Sequence, residues 1–144
     1  MAGRTRQSQK EDLIWVLKNI LDADEDHAIY KACMQNGINS PQFLISLTLE
    51  TVLLEYTEIN LGTDVASTTS VTKTLNKVTD VPLLIAFGRY IKYLKRTGHP
   101  IVNNWRALDR DEFENFFYSD YNSDNPKPTP EELEAQQRRS RNNN

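Results

Sequence analysis

The 144 residues suffice for one domain with its own core, and 38% apolar with 26% charged residues suits a globular body with polar ends. Net charge is −3 and uneven: residues 1–10 hold three basic and no acidic residues, 11–121 hold 10 basic against 16 acidic, and 122–144 hold four of each. An acidic body argues against a dedicated nucleic-acid domain, the single Cys33 excludes an intrachain disulfide and a cysteine-based zinc site, and no apolar run reaches the ~20 residues that span a bilayer.

Residues 1–7 read as a disordered basic arm. No apolar h-region follows the MAGRTRQSQK start, so a cytoplasmic location is expected, with the nucleus as alternative. Ser8 and Glu11 form a capping-box pair ahead of a first helix, QKEDLIWVLKNILD. Its apolar face is Leu13, Val16, Leu17, Ile20 and Leu21. The acidic run 22–26 caps a second helix, HAIYKACMQN, with Gly37 placed as its left-handed stop.

Two short helices are expected back to back in GINSPQFLISLTLETVLLEY. Ser40-Pro41 opens one and Thr48 caps the other, which carries Val52, Leu53 and Tyr56. This rhythm is similar to the heart of the sterile-alpha-motif and helix-hairpin-helix groups. The Ser/Thr-rich stretch from Ile59 to Val78 reads as a loop with one helical turn over 72–77. A hairpin is the alternative there, without an Asn-Gly or Asp-Gly turn.

Thr79–Gly98 has the longest apolar stripe, Leu83, Leu84, Phe87, Ile91 and Leu94. Thr79 or Asp80 caps it, Pro82 lies in the first turn, Lys95 and Arg96 in the last, and Gly98 stops it. Asp109, with Glu112 as capping-box partner, opens a last helix whose apolar face is Phe113, Phe116 and Phe117. From Asn122 the prolines and polar residues read as a disordered tail over 122–144, with a transient helix near 131–139. The expected architecture is one all-α domain of four to six helices over residues 8–121, with disordered termini.

Candidate chemistry is sparse. The 22–27 run DADEDH lacks the central glycine and final glutamate of a calcium loop. His27 and His99 are 72 residues apart, and the five glycines are scattered singly. Neither catalysis nor a cofactor, metal or small-molecule substrate is expected. Arg89, Lys92 and Arg96 share the face of the central helix opposite its apolar stripe. That pattern fits a solvated face or, with Arg138 and Arg139 of the tail, weak nucleic-acid contact. Trp105, Phe113, Phe116, Phe117 and Tyr118 are too many aromatics for one narrow stripe, which leaves part of them for a partner interface.

The order of these blocks resembles the N-terminal, gag-like or pre-gag region of copia-type retrotransposon polyproteins of the diatom kind. There a Gly-Ile … Leu-Thr block precedes a hydrophobic helix and a Trp … Phe block closes the domain. Leu47, Thr48, Trp105, Leu108, Glu112 and Phe113 occupy the matching positions, while Asp109 stands where that family often has Thr. The resemblance spans residues 27–130. It implies a non-enzymatic, self-associating interaction domain working near RNA. A nucleic-acid-associated module and a host adaptor that binds another protein are the alternatives, and no membrane is expected among the partners.

Overall fold

The computed structural model describes residues 6–47, 54–60, 68–99 and 104–142. Among them are helices α1 (Arg6–Asn19), α2 (Ala28–Gln35), α3 (Pro41–Ile45), α4 (Asp80–Arg96), α5 (Arg110–Phe117) and α6 (Pro130–Asn142). A 3₁₀ turn spans Trp105–Ala107, and strands β1 (Glu55–Asn60) and β2 (Thr69–Thr74) complete the set. The all-α expectation is therefore corrected: the fold is mixed, helices with a two-stranded antiparallel sheet.

The sheet lies where a helix and a loop were expected. Tyr56, Thr57 and Ile59 in β1 and the Thr/Val alternation of β2 are β-branched or aromatic residues that suit a pleated surface. Tyr56 faces inward and is buried, and Glu55 pairs Thr74 at one end of the ladder and Asn60 pairs Thr69 at the other. The helix expected from Thr48 lies outside the described residues up to Leu53, and from Glu55 onward the chain is strand. The turn expected at 72–77 is β2 followed by an Asn76-centred helix entry.

α4 is the spine. It buries Leu84, Phe87, Tyr90, Ile91 and Leu94 in one cluster with Leu13, Val16 and Leu17 of α1, Ile29 and Cys33 of α2, Leu44 of α3 and Phe113 of α5. Gly88 faces α3, where a Cβ would stand 3.4 Å from the Ile45 carbonyl oxygen, in ordinary van der Waals contact. Both predicted glycine stops hold. Gly37 (φ +72°) and Gly98 (φ +83°) adopt the left-handed conformation. Ile38 and His99 amides donate to the Cys33 and Leu94 carbonyls at 3.0 and 2.9 Å, closing each helix with a Schellman pair.

Entry caps differ more. His27, not an acid of the 22–26 run, caps α2, its Nδ1 accepting from Ile29 N at 3.0 Å. Ahead of α4, Asn76 Oδ1 accepts from the amides of Val78 and Thr79, and Asp80 Oδ2 accepts from Asn76 N. α1 starts at Arg6, so Ser8 lies inside it, and the rest of the predicted arm, residues 1–5, falls outside the described residues.

The predicted disordered tail is structured where it is described, over 122–142. Asn122 Nδ2 donates to the Phe117 carbonyl at 2.9 Å. Thr129 is 1% exposed, and it and Glu132 close a capping box over Pro130, the first residue of α6. A Thr-Pro-Glu-Glu sequence is a strong helix start, which is why α6 forms despite its polar face.

Candidate functional site

Asp109 positions α5 as expected, its Oδ1 accepting from Asp111 N at 2.7 Å and Glu112 N at 3.3 Å. Glu112 does not complete the capping box. Its carboxylate accepts from the Tyr90 hydroxyl at 3.4 Å, tying α5 to α4. Burial, and then the Glu112 charge, push the Tyr90 phenol well above its ordinary range.

The five aromatics expected at an interface divide between core and surface. Trp105, Phe113 and Phe116 are buried. Phe113 stands edge-on to Phe87, Tyr90 and Phe117, while Phe116 packs on Tyr90 and Tyr93. Phe117 is half-buried, and Tyr118, 85% exposed, alone lies open. Three aromatics fit on the two-turn α5 because Tyr90 receives Phe113 and Phe116, Tyr93 receives Phe116, and Phe117 packs back on Phe113.

The basic residues come together where the sequence placed them. Arg89, Lys92 and Arg96 line an open groove of about 350 Å³ between α4 and the segment after α5, with Tyr121, Asp124 and Pro126 on its other wall. Two are neutralised from within: Arg89 bonds the Asp124 carboxylate and Asn122 Oδ1, and Arg96 lies 3.6 Å from Glu132. Lys92 has no ion-pair partner among the described residues. Arg138 pairs with Glu134 one turn back on α6, and Arg139 is exposed.

A third surface escaped the sequence reading. The outer edge of β1 is closed by side-chain amides of α2. Gln35 Nε2 donates to the Thr57 carbonyl at 2.9 Å, Thr57 N donates to Gln35 Oε1 at 2.7 Å, and Asn36 Nδ2 donates to the Glu55 carbonyl at 2.8 Å. Odd-numbered β1 residues thus turn to α2 and even-numbered ones to β2. Through the register Tyr56–Lys73 and Glu58–Val71, the main-chain groups of Ser70, Thr72 and Thr74 in β2 face outward. All six β2 residues are exposed, and these three have no other partner among the described residues. Lys73 and Lys31 both bind Glu58, at 2.7 and 3.1 Å, and hold its carboxyl below the usual range. The signal in the sequence is the Thr-Ser-Val-Thr-Lys-Thr run itself.

No group of three or more His, Cys, Asp or Glu side chains among the described residues is arranged to hold a metal ion. Cys33 is buried, and desolvation pushes its thiol up to about 12, away from thiolate chemistry. No described helix is long and apolar enough to cross a membrane. Comparison with protein-family models, curated proteins and solved structures finds no match.

Proposed function

We propose that this chain is a non-enzymatic interaction domain that assembles with copies of itself through the outer edge of β2. A retroelement-derived, gag-like origin is consistent with that role. The observation that carries the reading is the asymmetry of the hairpin: α2 closes one edge, and no described residue covers the other. An open strand edge is a template for another strand.

The occupant the edge suits is a second β2. Antiparallel pairing about a two-fold axis at Thr72 sets Thr72 against its own copy and Ser70 against the second copy's Thr74, all uncharged. Lysine usually guards an edge, but Glu58 neutralises Lys73 at 2.7 Å. Three outward residues per copy give about six main-chain hydrogen bonds, each worth on the order of 1 kcal/mol net. Association itself costs at least about 4 kcal/mol, so the contact is weak and concentration-dependent.

Light scattering behind a sizing column, over a concentration series, tests this. Wild type should shift from monomer to dimer as concentration rises. Thr72→Pro removes an outward N–H at an edge position, and Thr72→Asp sets two like charges across the axis; both should abolish the shift while leaving the circular dichroism spectrum unchanged. A wild type that stays monomeric up to its solubility limit, or oligomers that survive both variants, would overturn the assignment.

A further inference from the structure

The groove along α4 offers a second site, independent of the β2 edge. Arg89, Lys92 and Arg96 spread their charges over about 10 Å of helix axis, given the rise per residue of an α-helix. The two arginines are held by their surroundings: the Arg89 side chain is 28% exposed, whereas its acidic partner Asp124 is 78% exposed. A half-buried guanidinium facing an exposed carboxylate is a pre-organised anion site with a replaceable occupant. In the opposite wall, Tyr121 stacks on Tyr93 with ring centroids 4.9 Å apart, and part of its surface stays open.

We propose that this groove binds the backbone of a single-stranded nucleic acid, and that Asp124 and Glu132 occupy the phosphate positions until a strand displaces them. Three cations in line match a run of phosphates better than one carboxylate, and a tyrosine beside them gives a stacking platform that any base can use. Acidic residues return to the groove from the segment after α5, so the free protein binds weakly and its folded body remains acidic overall. Lys92, which no acid among the described residues covers, makes first contact. Arg89 and Arg96 follow as their internal partners leave. Asp124 and Glu132 are competitors of the ligand and touch it nowhere.

Fluorescence anisotropy with a labelled uridine homopolymer, at about 50 and about 200 mM salt, tests this. The variant Asp124→Asn/Glu132→Gln releases both arginines without dismantling α6, since the amide oxygen introduced at the second position can still accept from Thr129. Its affinity should exceed wild type by on the order of tenfold, because an exposed ion pair competes by about two- to fivefold. The salt dependence should steepen as two more cations engage phosphate. Adding Lys92→Glu, an exposed change, should bring affinity below wild type. Asp26→Asn/Glu55→Gln carries the same charge change away from the groove and should leave binding unaltered. The proposal is overturned if the control tightens binding as much as the release variant does. It is overturned equally if the release variant does not differ from wild type, or if an acidic or phosphorylated peptide binds the groove and the homopolymer does not.

Discussion

Truncating Phe113 to alanine separates a core from an interface at α5. The ring is 1% exposed and meets Phe87, Tyr90 and Phe117 at centroid distances of 6.1, 5.5 and 6.4 Å. A buried Phe→Ala change costs about 3–5 kcal/mol, from lost transfer energy and the cavity left behind. Domains of this size hold about 5–15 kcal/mol in all, so roughly a fifth or more of the stability goes. With a urea slope of about 2 kcal/mol per molar, the midpoint should fall by about 2 M at unchanged slope. Tyr118→Ala, on the same helix end but open to solvent, should stay within about 0.5 kcal/mol of wild type. Equal, small shifts for both variants would refute the packing, and would return Phe113 to the set of interface residues that the sequence pattern suggested.

Asp109→Ala removes the acceptor of two amides at the start of α5, and Glu112 is engaged with Tyr90 and does not replace it. The cost should be about 1–2 kcal/mol, read as a fall of about 2–8 °C in Tm, with Asp109→Asn close to wild type. A loss as large in Asp109→Asn would mean that the charge, not the cap, matters. Alkaline pH should weaken the fold. The Cys33 thiol moves from an ordinary 9.0 up to about 12, and the Tyr90 phenol is also raised. Both stay protonated in the folded chain while the unfolded chain releases its protons, so their contribution is complete below about pH 9 and is lost as pH climbs towards their folded values. The unfolding free energy from urea titrations should fall at up to about 1.4 kcal/mol per pH unit per group, and Cys33→Ala should flatten part of that slope. A flat profile to about pH 11 would contradict the burial of both groups.

What the sequence made legible was local chemistry. Gly37 and Gly98 terminate helices because a helix needs a left-handed residue at its end wherever the rest of the chain goes. Asp109 caps because its partners are two and three residues away. The apolar stripe of α4 was readable for the same reason. The hairpin was legible only as the alternative over residues 59–78: Tyr56 alternates with Thr57 as a strand, yet its neighbours Val52 and Leu53 also fit a helical stripe. The choice rests on contacts across 22 residues, where Gln35 supplies both a donor and an acceptor to Thr57. The caps of α2 and α4 were missed similarly. The acids near α2 were used elsewhere, Asp24 Oδ1 accepting from Asp26 N, so the cap fell to His27.

The charge balance shows why a site can be visible in a sequence while its state is not. Arg89, Lys92 and Arg96 had to share a face, since seven residues make two turns. Nothing in their spacing announces that Asp124, 35 residues on, returns to the first of them and Glu132 to the last. Residues 122–144 sum to zero, and that sum hides a spatial division. Asp124 and Glu132 are turned inward on α4 arginines, while Arg139 and Arg141 stand exposed on α6 without an ion-pair partner among the described residues. A segment neutral in composition therefore turns two of its acids to α4 and leaves two of its arginines exposed. On the groove proposal above, a polyanion reaching α4 would meet Lys92 first and then the arginines it frees. Binding and release of the internal acids would then be one equilibrium, and salt would shift both halves of it.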